Sequence, residues 1–191
     1  TIFEKWFLNH NLGEIPDDYK LSKVEDIVIK ITEKFKSNEN WDNEKLIDLS
    51  RMPNNSITLN SFGKGSEIST SACKFKKNDF LFGSIRPYFY KAGICPFDGI
   101  TNTSVFVLRS INEFDREFVY SCLSSQNIFE KSVQYSEGTK MPVIKWKDFK
   151  NFEIILPSEN KRKAFSNLTR PLFQKIIQNI FEEELTVDLI E

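Results

Sequence analysis

Apolar and polar positions change period several times along the chain, and the clearest runs lie between Asp79 and Arg109. Phe80-Leu81-Phe82 is a short apolar run ended by Gly83, a position where a strand can bend or admit another backbone. Ile85-Arg86-Pro87 follows, and the proline biases Arg86 toward an extended or turn conformation. Tyr88-Phe89-Tyr90 alternates into Lys91 as a second strand, and Pro96-Phe97-Asp98-Gly99 signals a turn. Val105-Phe106-Val107-Leu108 has no polar interruption, the mark of a strand buried on both faces. The stretch predicts a rigid strand–loop–strand–turn–strand unit with Arg86, Tyr88 and Lys91 on its rim.

Phe3, Trp6 and Phe7 have helical spacing, and Asn11-Leu12-Gly13 ends that segment. Ile15-Pro16-Asp17-Asp18 is a turn into an extended segment from Tyr19 to Val24. Leu21, Val24, Ile27, Val28 and Ile31 suit a helix, while Val28 to Ile31 alternates equally well as a strand. Residues 34–43 are polar and read as a loop, Lys45 to Leu49 as a strand, Arg51 to Asn55 as a turn, and Ser61 to Ser66 as a flexible loop. Glu113 to Val133 reads as a helix, with Phe118, Val119, Cys122 and Leu123 on one face, Ile128 and Phe129 continuing it, and Ser124-Ser125 as a point of division. A loop from Tyr135 to Pro142 leads to short strands at Val143 to Trp146 and Phe152 to Leu156.

Ser158 has the character of a helix N-cap. Beyond it Phe165, Leu168, Leu172, Ile176 and Ile180 recur three or four apart, with Phe173 and Ile177 widening the stripe. Pro171 predicts a kink or a division of this helix. A stripe of this kind needs a surface to cover it, either another helix or its own domain. The spacing favours neither.

Composition narrows the class. With 191 residues, 40% of them hydrophobic and 28% charged, the chain suits one globular domain with an appended element. The 18 phenylalanines fit aromatic-rich strands. No run is long enough to span a bilayer and no charged-then-apolar leader opens the sequence. Cys73, Cys95 and Cys122 are widely spaced, which argues against a disulfide framework or zinc site and for a reducing cytoplasm. The net charge of −1 gives no global basic field, yet the distribution is uneven. From Ser61 to Lys91 six basic residues face two acidic ones, and from Lys131 to Lys150 five face two. One basic face is therefore compatible with near neutrality.

Catalytic signatures are weak. His10 is the only histidine. Gly63-Lys64-Gly65-Ser66 lacks the spacing of a phosphate loop, and no Asn-Pro-Pro-aromatic run is present. Asp148-Phe149-Lys150 and Glu159-Asn160-Lys161 offer half of a nuclease constellation, with no second carboxylate beside either. The reading is of a non-enzyme without cofactor or metal.

Several runs, taken in order, resemble the target recognition domain of type I restriction–modification specificity subunits. They are Asp79 to Tyr88, Phe97-Asp98-Gly99 with Val105 to Arg109, Glu137-Gly138-Thr139-Lys140-Met141-Pro142-Val143-Ile144-Lys145-Trp146, and Phe152 to Pro157. A helix containing Pro171-Leu172-Phe173 follows, where that family places its helical spacer. Phe3-Glu4-Lys5-Trp6-Phe7 looks like the end of a preceding spacer, and Ile15 to Tyr19 like the lead-in to the domain. The resemblance covers nearly the whole chain. Full subunits carry two recognition domains and two spacer helices, so one of each implies a half-subunit or a fragment.

The resemblance implies an α+β fold: a mixed, antiparallel-rich sheet domain with flanking helices over residues 1–157, then a long helix over 158–191 that pairs as an antiparallel coiled coil. It implies sequence-specific binding of double-stranded DNA in the cytoplasm of a bacterium or archaeon, one half of a bipartite target being read. Expected partners are the methyltransferase subunit, through it the restriction subunit, and a second recognition half or a second copy. About 30 helical residues at ~1.5 Å each span roughly 45 Å, or on the order of 13 base pairs. Lys64, Lys74, Lys76, Lys77, Lys91 and Lys145 are expected on phosphates and nearby groups, Arg86 and Lys140 on base edges, and Ser84, Tyr88 and Thr139 in short polar contacts. Phe165, Leu168, Leu172, Phe173, Ile176, Ile177 and Ile180 are expected to pair with another helix. Against these stand plainer roles: Asp98 can pair with Arg86, Tyr88 suits a core, and Gly138-Thr139 suits a turn. Two other functions remain open: a DNA-cleaving or modifying fragment using Asp148 and Lys150, and a protein-interaction module built on the helix alone.

Overall fold

In the computed structural model, two strands with uninterrupted apolar sequence form the centre. They are β7 (Phe80–Gly83) and β10 (Val105–Ser110), paired antiparallel with Phe82 opposite Phe106. The structure describes residue 3 and residues 17–34, 40–68 and 71–188, with side chains described as far as Glu182. Trp6, Phe7 and the turn at 15–16 lie outside the described residues.

The five-stranded sheet around this pair has the order β2 (Val28–Ile31), β10, β7, β8 (Lys91–Ile94), β4 (Ser56–Thr58), and all its pairings are antiparallel except β4–β8. Side chains alternate across a strand, and here both faces are covered. Phe80, Phe82, Phe106 and Leu108 enter the larger core, under the helices α1 (Arg116–Leu123), α2 (Gln126–Gln134) and α3 (Trp146–Phe149). Leu81, Val105 and Val107 enter a second core beneath a four-stranded sheet, β5 (Gly63–Lys64), β3 (Lys45–Leu46), β9 (Gly99–Asn102), β6 (Ala72–Phe75). The phenylalanines fill the first core: Phe82 lies between Phe129 at 4.8 Å and Phe149 at 4.6 Å, and Phe80 stacks on Tyr120 at 5.0 Å.

A third, two-stranded ladder joins the two flanks of the domain. In it β1 (Tyr19–Lys23) runs antiparallel to β11 (Glu153–Pro157). Ser158 then donates its amide to Asp18 at 2.8 Å, and its carbonyl accepts the Arg162 amide at 3.1 Å, which places it at the N-cap position of α4 (Glu159–Asp188). The fold is thus α+β, with mixed sheets and a long C-terminal helix.

Five local expectations change. Leu21 to Ile31 is strand, one 3-10 turn (Val24–Asp26), then strand, because Val28–Ile31 pairs with β10. Tyr88-Phe89-Tyr90 is not a strand: Pro87–Phe89 is a 3-10 turn flanked by left-handed residues. Val143 makes only isolated bridges, and helix α3 begins at Trp146. The expected flexible loop at 61–66 is ordered, since Glu67 accepts the Lys64 amide at 2.8 Å and closes a 3-10 turn. Helix α4 continues through Pro171 without division, while α1 and α2 do divide at Ser124-Ser125.

Candidate nucleic-acid interface

Strand β7 ends at Gly83, where an added Cβ would stand 2.6 Å from Leu49 Cδ1 and 3.2 Å from the Lys91 carbonyl, so a side chain there would force the turn away from β8. Beyond it Ser84 is buried, and its amide and hydroxyl both donate to the Ser104 carbonyl, at 2.9 and 2.8 Å. The chain is then pinned to a second segment. Ile85 bridges Val143, the Ile144 amide donates to the Ser84 carbonyl at 2.9 Å, and the Arg86 amide donates to the Pro142 carbonyl at 2.7 Å. Glu137 and Val143 exchange two backbone bonds at 2.9 and 3.0 Å, and Gly138, with φ of +103°, makes that tight loop. Residues 84–90 and 137–143 therefore form one stapled element.

Arg86 and Tyr90 bracket the turn in left-handed conformations, φ 50°, ψ 59° and φ 54°, ψ 44°. For a residue with a Cβ this conformation is unfavourable by about 1–2 kcal/mol, and residues held in it cluster at functional sites. Arg86 Nε is buried with no hydrogen-bond partner. Around it Tyr88 (44% exposed), Phe89 (38%) and Met141 (52%) present apolar surface to solvent, the two rings 4.7 Å apart. Arg86, Phe89, Lys91, Asn102 and Met141 line a cleft of about 400 Å³. Lys91 Nζ is held by the Leu49 carbonyl at 2.8 Å. Thr139 and Lys140 are exposed on the stapled loop, and Lys145 behind it pairs with Glu137. That bond raises the Lys145 pKa and holds the Glu137 carboxyl below its usual range.

The remaining sequence-derived basic residues are elsewhere. Lys64, Lys74, Lys76 and Lys77 lie toward the end of the sheets that carries Asp79 and Gly99, one strand length from Gly83 and Asn102. Lys76 bonds Asp98 at 2.9 Å, which raises its pKa, and the Lys77 amide donates to the same carboxylate at 2.8 Å. Asp98 is thus engaged with these lysines rather than with Arg86. Lys74 lies 3.8 Å from Glu33, and Lys64 stands opposite Lys45 across β5–β3. The proposed contact set therefore occupies two ends. Phe89 and Asn102 join the cleft without any signal in sequence spacing; Met141 has its place in Gly-Thr-Lys-Met-Pro as a cue.

The stripe on α4 also divides. Phe165 and Ile180 are buried, and Phe173, Ile176 and Ile177 are half-buried against the domain, whereas Leu168 (55% exposed) and Leu172 (53%) are exposed, Leu172 at the edge of a groove between the helix and the domain. Two buried carboxylates meet arginines on the inner face: Asp115 with Arg162 Nε at 2.7 Å, and Glu117 with Arg170 Nε and Nη2 at 3.2 Å each. Burial pushes the Asp115 carboxyl up, only partly offset by Arg162. Among the described residues no three His, Cys, Asp or Glu side chains cluster as a metal site, and no helix is long and apolar enough to cross a membrane.

Residues 16–184 match the family model of the type I restriction modification DNA specificity domain. The chain belongs to this family. The specificity domain is 33% identical over 84 residues to the type I restriction enzyme MjaIX specificity subunit of Methanocaldococcus jannaschii, a match covering 44% of this chain and 18% of that subunit. Two solved structures share its fold with a TM-score of 0.68 each. One, from work on complex assembly and conformational transition of the type I R-M system, is 21% identical and is matched over 92% of this chain and 47% of its own. The other, the HsdS subunit of Thermoanaerobacter tengcongensis, is 20% identical, over 88% and 45%. The chain thus spans less than half the length of these relatives.

Proposed function

We propose that this chain binds double-stranded DNA sequence-specifically as the non-catalytic specificity component of a type I restriction–modification system, reading one half of a bipartite target. The observation that carries the reading is the stapled turn at 84–90 and 137–143. It holds an arginine with a buried, unpartnered Nε in a strained conformation, between exposed Tyr88, Phe89 and Met141. Arginine donates to both acceptors of guanine, and apolar side chains contact the thymine methyl. Lys140 and Thr139 extend the same element. Lys91 and Lys145 support its base, and Ser84 acts by fixing the turn. Lys64, Lys74, Lys76 and Lys77, at the other end, contribute sequence-independent attraction to phosphates.

In this reading residues 1–157 recognise DNA and residues 158–191 form the spacer. The exposed leucines of α4, Leu168 and Leu172, meet a second recognition half or a second copy, and the flank of the domain takes the methyltransferase subunit, through which the restriction subunit joins. Binding to random duplex across a salt series, followed by selection from a target library, tests the proposal. The expected result is a steep salt dependence on random duplex and an enriched sequence of one half-site. No duplex affinity at low salt in the presence of the methyltransferase subunit would sink it.

A further inference from the structure

Helix α4 is joined to the domain by a polar latch that no apolar packing requires. Three contacts lie along two turns of its inner face. Arg162 reaches Asp115 at 2.7 Å and the Pro157 carbonyl at 2.5 Å. Ser166, fully buried, accepts the Phe118 amide at 3.2 Å, satisfying a donor in the first turn of α1. Arg170 grips both oxygens of Glu117, which also takes Arg116 at 3.0 Å. Asp115, Glu117 and Phe118 belong to one short segment of the domain, so each contact fixes a different point of α4 against the same base. A single apolar ridge would let the helix rotate or slide by small amounts. A two-pronged guanidinium–carboxylate pair does not tolerate this, because its geometry is planar and directional.

Buried ion pairs contribute little net stability compared with apolar residues of the same size, and their best-attested use is to specify one arrangement. The carboxylates of Asp115 and Glu117 are buried, while their partners Arg162 and Arg170 are 11% and 34% exposed. We infer that the Asp115–Arg162 and Glu117–Arg170 pairs are positioning residues that set the direction in which α4 leaves the recognition domain, and with it the spacing and helical phase between this half-site and the next. This rests on the DNA-reading function proposed above. The latch itself is a property of the protein alone and can be measured without DNA.

Spin labels at Asn127→Cys on α2 and Asn179→Cys on α4, both exposed, in a Cys73→Ser background, report the direction of the helix by pulsed dipolar distance measurement; Cys95 and Cys122 are buried. The paired swap Glu117→Leu with Arg170→Leu keeps the bulk and removes the fork. It is expected to at least double the width of the distance distribution while the thermal transition stays cooperative. Arg170→Lys, a point charge without the fork, covers the case in which the swap does not fold, and should broaden the distribution in the same direction. Asn167→Ala, at an exposed position of the same helix, should change nothing. Unchanged width and centre in both latch variants would overturn the inference. In the second arm, half-site pairs differing by single base pairs of spacing are offered to the chain with the methyltransferase subunit. Wild type should prefer one spacing about tenfold and the swap less than threefold; an undiminished preference would overturn the role in spacing. A wild-type chain that binds no duplex would refute the DNA-reading function, and the distance measurement would then decide the latch alone.

Discussion

Arg86 separates stability from recognition, because its conformation and its buried Nε both lower stability while its side chain is the proposed reader of DNA. The left-handed backbone is unfavourable by about 1–2 kcal/mol for a residue with a Cβ, and the following Pro87 disfavours helical backbone before it. The buried, unpartnered Nε adds about 1–3 kcal/mol of unrecovered desolvation. Arg86→Ala removes the second burden and keeps the first. Arg86→Gly removes both, less about 0.4–1 kcal/mol of extra chain entropy in the unfolded state. A net gain of at least about 1 kcal/mol for the glycine variant corresponds to a transition roughly 2–4 °C higher for a chain of this size, with alanine in between. DNA binding should move the other way. Loss of a bidentate guanine contact weakens the target complex by about 1–3 kcal/mol, on the order of 5- to 150-fold, and leaves random duplex within about twofold. Calorimetry and competition anisotropy on the two duplexes read these quantities. A glycine variant that melts below wild type would refute the strain argument, and target affinity within twofold of wild type in both variants would refute the base contact.

Two further outcomes test the stapled loop and the cleft beside it. Gly138→Ala, at φ +103° with the Met141 carbonyl 3.2 Å from the added Cβ, should destabilise by about 1–2 kcal/mol and lower the melting transition by several degrees; an unchanged transition would show that the loop relaxes. Asp48, beside the cleft, has its carboxyl raised by burial but lowered further by hydrogen bonds from Ser50 and Arg51, so its folded pKa lies below the unfolded value near 3.8. Its contribution is therefore complete above that value and lost as pH falls through the folded pKa. Asp48→Asn should be less stable than wild type in urea at pH 7, with the difference shrinking as pH falls below the unfolded value; a difference that does not shrink on acidification would contradict the assignment.

The central strands were legible because burial on both faces leaves no polar residue to interrupt them, as in Val105 to Leu108. The division at Ser124-Ser125 and the N-cap position of Ser158 are legible because serine is a local helix-boundary signal, although Ser125 makes no side-chain capping bond. What escaped was set by partners far along the chain. Val28 to Ile31 becomes a strand through pairing with β10, and Val143 bridges Ile85 rather than forming an element of its own. Tyr88-Phe89-Tyr90 alternates as a strand would, yet two left-handed residues turn it into a rim, and nothing in the aromatic pattern announces them. Charge density along the sequence does not say at which end of a sheet a lysine stands. Lys76 and Arg86 are close in sequence and are separated by the length of β7.

The exposed leucines of α4 set a limit on how far this helix can pair unaided. A coiled-coil seam needs apolar residues sustained over several heptads. Among the described residues the helix keeps only Leu168 and Leu172 as exposed large apolar side chains, having turned the rest of its stripe toward its own domain. Completing the burial of a leucine already half covered contributes about 1 kcal/mol. Four such side chains in a symmetric pair therefore contribute on the order of 4 kcal/mol, against about 4–15 kcal/mol of lost translational and rotational freedom. The chain alone should sediment as a monomer at roughly 10 μM, and stable pairing should require a covalently linked second half or the methyltransferase subunit as a bridge. Leu168→Asp with Leu172→Asp should leave the monomer's melting temperature within a few degrees of wild type and abolish pairing with a supplied second half. Self-association of the isolated chain below about 1 μM would mean that the pairing surface extends well beyond these two leucines.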